Sequence, residues 1–204
     1  MSPALFQIIL ASASPRRREL LQQISVQFQV IVSDSEETPA SGEAADIYVR
    51  RVALAKARTV WQRLPPHQQY PVLGADTEVI LDGEILGKPV DRNAALAMLE
   101  RLSGRAHEVL SAVALVYGGV EALRVSRSIV SFRPTTLQER ETYWDSGEPA
   151  GKAGSYAVQG IGAVFITRIE GSYSGVMGLP IFETAELLGE FGIDVLSLRE
   201  SKNE

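Results

Sequence analysis

The chain has 204 residues, 45% hydrophobic and 22% charged, the proportions of an ordinary globular domain large enough to bury a substantial core. It contains no cysteine and two histidines, which excludes a disulfide framework, a thiolate zinc site and a cysteine nucleophile, and points any metal toward carboxylates and hence magnesium or manganese. The formal net charge of −5 argues against a nucleic-acid surface, no stretch reaches the roughly 18–20 apolar residues of a membrane span, and no export signal is visible, so a cytoplasmic location is expected.

The first element is an apolar strand, Gln7–Leu10, which stops at Ala11-Ser12-Ala13-Ser14-Pro15-Arg16-Arg17. Ser14 has the chemistry of a helix N-cap and Pro15 that of the first helical position, so a helix is predicted over Arg16–Ile24. Arginines are the wrong sign for a helix start, where the macrodipole favours anions. Arg16 and Arg17 beside free N–H groups make sense if a phosphate binds there, although exposed arginines near a strand end would read the same way. After a strand at Phe28–Val32 comes Glu36-Glu37, a candidate carboxylate position, inside a segment 33–42 expected to be mobile, as is the 201–204 tail.

The next helix, Asp46–Leu64, ends at Pro65-Pro66 and carries Val49, Ala53, Lys56 and Val60 on one stripe. That spacing turns the Lys56 ammonium toward the core, from which it either snorkels out or reaches a site beneath the helix. Two short strands, Val72–Leu73 and Val79–Leu81, flank Gly74-Ala75-Asp76-Thr77. A carboxylate at a strand end beside glycine suits a metal ligand or general base, and equally a turn aspartate satisfying its own backbone. Gly83-Glu84-Ile85-Leu86-Gly87-Lys88-Pro89 is not a P-loop, because the glycines are too close and Pro89 stands where a hydroxyl must bind magnesium. Lys88 is still placed to contact phosphate from a hairpin or loop.

A helix over Asp91–Leu102, strands at Val109–Val116 and Arg124–Phe132, and a helix opened by a Thr136/Glu139 capping box follow. Then come a glycine-rich stretch from Gly151 to Gly162 holding Lys152 and Gln159, a strand Val164–Ile169, and a helix Pro180–Phe191. Strands and helices in this order predict an α/β or α+β domain around a mixed sheet.

Taken together and in order, these clusters resemble the Maf family of nucleoside triphosphate pyrophosphatases. The matching residues are Ser14-Pro15-Arg16-Arg17, Glu36, Lys56, Gly74-Ala75-Asp76-Thr77, Lys88-Pro89, Ser103-Gly104, Lys152-Ala153-Gly154 with Tyr156, and Gln159-Gly160, with Gly171, Tyr173 and Gly178-Leu179-Pro180 extending the match. One departure is Gly151, where the family usually has aspartate. The resemblance implies one Maf-like, inosine-triphosphatase-like α/β domain over residues 1–204, an elongated mixed sheet flanked by helices. Two lobes would enclose a central cleft holding the active site, and homodimers are common in the family. It implies hydrolysis of a nucleoside triphosphate to a monophosphate and pyrophosphate, with Mg2+ or Mn2+ as cofactor.

On that resemblance Asp76 is catalytic, Glu36 and Asp76 are metal ligands, and Ser14, Arg16, Arg17, Lys56, Lys88 and Lys152 bind substrate. Base abstraction and metal binding compete for Asp76. Gln159, with Arg16 and Thr77, is expected to set base choice: members with glutamine there resemble the subgroup acting on dTTP and UTP. A Gln amide offers the donor and acceptor that a thymine or uracil edge requires, whereas an ionised Glu only accepts. The partner is then a small nucleotide, with no nucleic acid and no membrane. The runner-up is a nucleotide-binding regulatory module linked to cell division, with little turnover.

Overall fold

The computed structural model describes residues 6–66 and 69–197; the 201–204 tail lies outside the described residues. A seven-stranded mixed sheet runs in the order β2-β1-β3-β5-β6-β7, with β4 paired to β3 off this path. The N-terminal third supplies its parallel part. β1 (Ile8–Leu10) lies between β2 (Phe28–Val30) and β3 (Val72–Leu81), parallel to both, and the crossovers are α1 (Pro15–Gln23) and α2 (Ala45–Arg63). The rest of the sheet is antiparallel: β5 (Ala106–Tyr117) pairs with β3, β6 (Val120–Phe132) with β5, and β7 (Ile166–Glu170) with β6. The mixed sheet expected from the sequence is therefore present.

Local signals account for the element ends. Ser14 caps α1 with Pro15 at its first turn. Asp91 caps α3 (Arg92–Leu102), and Thr136 and Glu139 form the reciprocal capping box that opens α4 (Leu137–Asp145). β3 and β4 (Glu84–Ile85) join through Asp82-Gly83, both at positive φ (54° and 80°), as a two-residue hairpin requires. The short α5 (Tyr173–Met177) leads into α6 (Ile181–Glu190).

Helices cover both faces. α2 buries Val49, Ala53, Ala57 and Val60 against one face of the sheet, beside Ile9, Val72, Ile80 and Ala112. On the opposite face, Leu20 and Leu21 of α1 and Leu187 and Leu188 of α6 close over Leu73, Ala75, Val113 and Leu115.

Two features of β3 depart from the sequence reading and build the cleft. Val72 to Leu81 is one continuous strand, not two, because β5 pairs with it from Val72 to Ile80 without a break. Gly74-Ala75-Asp76-Thr77 therefore lies within a strand rather than at its end. On the other edge, β1 covers β3 only at Val72 and Leu73, and β4 covers only Ile80 and Leu81. The edge between them faces no strand among the described residues.

Gly74 is the point of closest contact. A Cβ there would stand 2.2 Å from the Ala53 carbonyl oxygen and 2.8 Å from the Ala57 nitrogen, both backbone atoms of α2. Gly74→Ala should therefore destabilise the chain by about 3 kcal/mol in urea unfolding, since helix and strand would have to separate. Gly189→Ala, in α6 with nothing within 4 Å of the added methyl, should instead gain about 0.5–1 kcal/mol from helix propensity.

Candidate active site

The open edge of β3 forms the floor of a cleft of about 370 Å³. Its walls come from the β1–α1 turn, the segment after β2, the loop carrying Lys88, the 151–159 stretch and the end of α5. This is where an open α/β sheet usually binds ligands, beyond the carboxyl ends of its parallel strands.

The floor is acidic and buried. Side chains two apart on a strand share a face, so Gly74, Asp76 and Glu78 all point toward α2. Because Gly74 lets α2 approach so closely, Lys56, between Ala53 and Ala57, stands directly over Asp76. Its Nζ donates to Asp76 Oδ1 at 2.9 Å, with both side chains under one-tenth exposed. The core-facing stripe thus delivers Lys56 into the site rather than outward. Asp76 Oδ2 is buried and has no hydrogen-bond partner among the described residues.

Glu78 was not singled out in the sequence, although strand alternation from Asp76 would have found it. It is also buried, with Oε2 unpartnered among the described residues. Burial, reinforced by the Asp76 charge, pushes its pKa up to about 8.

Of the adjacent acidic pair, Glu37 reaches the cleft, while Glu36, expected as a metal ligand, is exposed and off its lining. The Tyr48 hydroxyl of α2 donates to the Glu37 carbonyl at 2.6 Å and pins that residue against the helix. The Glu37 carboxylate then pairs with Lys56 at 3.0 Å and Lys88 at 3.6 Å. Burial alone would raise its pKa, but Lys56 and Lys88 hold it below the ordinary carboxylate range.

The cationic wall rests on helix ends. Arg17 donates from Nε to the Gly178 carbonyl at 2.8 Å and from Nη1 to Ser12 Oγ at 3.0 Å, and Arg16 Nε donates to the Met177 carbonyl at 3.1 Å. Those carbonyls close α5, where partial negative charge gathers. The two arginines are thus anchored from behind, and among the described residues the Nη groups of Arg16 and Nη2 of Arg17 make no hydrogen bond. Burial lowers the pKa of both, opposed at Arg17 by Asp76 and at Arg16 by Glu19. Thr77 joins the same anchor: its Oγ1 lies 2.9 Å from Ser111 Oγ, which donates to the Gly175 carbonyl at 2.6 Å.

The opposite wall is tied by Glu148, another residue the sequence reading passed over. Its carboxylate accepts from the Tyr143 hydroxyl at 2.6 Å and from the backbone of Ile161 at 2.8 Å and Gly162 at 2.9 Å. A Cβ at Gly160 would stand 2.0 Å from its Oε2, so any larger residue there would push the carboxylate aside. This knot presents Lys152, whose ammonium donates to the Glu148 carbonyl, and Gln159, exposed at the cleft. Gly151 has φ +69° and open space at its Cβ position. Tyr156 completes the wall, with its hydroxyl 2.8 Å from His107 Nε2 inside an aromatic cluster with Phe132.

Ser14, Arg16, Arg17, Lys56, Asp76, Thr77, Lys88, Lys152 and Gln159 therefore all line one cleft, and Glu36 does not. Five cations face three carboxylates in a chain of net charge −5, a local reversal of sign that suits a compact polyanion.

Comparison with known proteins shows what the chain is similar to. The sequence model of a family described as Maf-like protein matches residues 7–191. A protein of Aromatoleum aromaticum named dTTP/UTP pyrophosphatase is 50% identical over 94% of this chain and 98% of its own. One of Methylococcus capsulatus with the same name is 52% identical over 94% of each chain. Among solved structures, the nucleoside-triphosphatase/dITP/XTP pyrophosphatase of Mycobacterium abscessus is 23% identical, with a TM-score of 0.40 over 61% of this chain and 73% of that one.

Two stability measurements follow from the buried groups. Lys56→Met leaves Asp76 as an unmatched buried charge and should cost about 3 kcal/mol in urea unfolding, most of it recovered when Asp76→Asn is added. Burial pulls the His107 pKa down to about 4, below its ordinary 6.5, so the unfolded chain binds the extra proton first as pH falls. The stability this residue contributes is complete above pH 6.5 and is lost progressively toward pH 4. Unfolding of wild type and His107→Gln across that window should show a difference that narrows by about 2–3 kcal/mol at the acid end.

Proposed function

The chain belongs to the Maf-like protein family, and on that premise we propose that it is a pyrophosphatase cleaving dTTP and UTP between the α- and β-phosphates. The observation that carries this reading is the state of Asp76: one carboxylate oxygen committed to Lys56, the other bare, at the floor of a cleft ringed by cations. The names carried by the relatives support the substrate and the reaction. A regulatory binding module would have no use for a buried carboxylate with a bare oxygen.

The chemistry follows from the residues. A triphosphate brings about four negative charges at neutral pH, and Arg16, Arg17, Lys88 and Lys152 gather them, helped by the free N–H groups at the start of α1. Water adds to the α-phosphorus, the bond to the bridging oxygen breaks, and pyrophosphate leaves carrying the electron pair. The same cations stabilise the charge that grows on that leaving group. Lys56 holds the Asp76 carboxylate in one orientation, so Oδ2 is the oxygen that acts on the water side of the reaction.

The bare Oδ2 also fits a divalent ion. Among the described residues no group of three or more His, Asp or Glu side chains forms a metal cage, and Mg2+ is commonly held by one or two carboxylates with substrate phosphates and water. When bound, such an ion would neutralise phosphate charge and lower the pKa of the attacking water. Base choice is assigned to Gln159, supported by Thr77 and Arg16. No helix among the described residues is long and apolar enough to cross a membrane; with a small nucleotide as its substrate, the enzyme is taken to act in the cytoplasm, as a homodimer.

Pyrophosphate release from a panel of nucleoside triphosphates tests the assignment. Wild type should release it from dTTP and UTP with Mg2+ or Mn2+, and Asp76→Asn should lower kcat by about a thousandfold or more. Gln159→Glu should reduce kcat/KM for UTP by about 5- to 150-fold, the equivalent of one unpaired polar group of about 1–3 kcal/mol. A wild type that binds these nucleotides and leaves them intact refutes the activity.

A further inference from the structure

Glu78 has no part in the chemistry above, and its position is an expensive one for an acid. Besides Gly74 and Asp76, the residues on the same face of β3 are Val72 and Ile80, both buried and apolar. A valine or isoleucine would serve packing there without the cost of burying a carboxyl group.

Three observations meet at this residue. Glu78 and Asp76 share a strand face, their Cα atoms about 7 Å apart by strand rise. Each is more than nine-tenths buried, each lines the cleft, and each carries one buried oxygen without a hydrogen-bond partner among the described residues. The third carboxylate of the cleft, Glu37, differs in kind, because its charge is already matched by Lys56 and Lys88. Lys56 also serves Asp76 Oδ1, while Glu78 makes no ion pair among the described residues. Two buried carboxylates on one strand face, each with an oxygen unpartnered among the described residues, lack a cation of their own in a site that handles phosphate.

We propose that Asp76 and Glu78 together hold the divalent ion, through Oδ2 and Oε2, and that Glu37 instead sets the positions of Lys56 and Lys88. This rests on the pyrophosphatase reading and sharpens it, because it gives Asp76 to the ion rather than to the proton of the water. Hard oxygen donors in this number select Mg2+ or Mn2+ over softer ions. The competing role for Glu78 is a neutral carboxyl that donates a hydrogen bond to the nucleotide, and this leaves metal affinity untouched.

The test is titration of Mn2+ alone, without nucleotide, into the full chain, with the free ion counted by electron paramagnetic resonance. Wild type, Asp76→Asn, Glu78→Gln and Glu37→Gln are compared, with thermal unfolding in metal-free buffer to establish that each is folded. Glu78→Val, matching the apolar neighbours on its strand face, is a second probe should the glutamine variant fail to fold. Wild type should bind one ion, Asp76→Asn and Glu78→Gln should each weaken it at least tenfold, and Glu37→Gln should stay within about twofold. A folded Glu78 variant that binds Mn2+ as wild type does, or a wild type that binds none, overturns the proposal. Pyrophosphate release from dTTP is scored separately: activity with unchanged Mn2+ affinity in Glu78→Gln refutes only the ligand assignment. Loss of affinity in both carboxylate variants of a chain that hydrolyses nothing upholds the ligands and refutes the activity.

Discussion

The site depends on how closely α2 lies on β3. With no side chain at Gly74, backbone meets backbone, and the helix is held at a height where a lysine one turn along reaches a carboxylate two residues along the strand. Any larger residue at position 74 would lift α2, part Lys56 from Asp76, and leave the buried Asp76 carboxylate unmatched. Fold and electrostatics are therefore coupled at one residue. Core packing on that face, through Val49, Ala53 and Ala57, is also what holds the ammonium in place.

The cleft is an inversion of local preference. Arginines open a helix where an anion would be favoured, and acids line a strand where aliphatic residues would be favoured. Each is tolerated because a fixed partner stands behind it: the α5 carbonyls behind Arg16 and Arg17, Lys56 behind Asp76, two lysines beside Glu37. Groups held in this way need little rearrangement when charge develops in front of them, which is the property electrostatic catalysis requires. Glu78 has no such partner among the described residues, and burial together with the Asp76 charge raises its pKa.

Much of this was legible in the chain. Caps and turn residues marked the starts of α1, α3 and α4 within a residue, because those signals are local. The helical stripe holding Lys56 was equally readable. What could not be read was long-range. Val72–Leu81 looked like two strands because its polar centre breaks the apolar run, and only continuous pairing with β5 joins them. Glu36 and Glu37 are indistinguishable in sequence, and the choice between them is made by Tyr48, eleven residues further on. Glu148 carried no signal in the sequence, since its role depends on backbone N–H groups more than ten residues away.

The link between α1 and the end of α5 carries a consequence for how the molecule comes into being. Arg16 and Arg17 find their carbonyl partners 161 residues later in the chain. During synthesis the N-terminal strand, helix and buried lysine can all be in place while the guanidinium groups still have nothing behind them. The anion-gathering wall is completed only when the segment around Met177 and Gly178 has emerged and docked. Loop closure over such a span is slow relative to local structure. The binding surface is thus among the last parts of the molecule that a growing chain can complete.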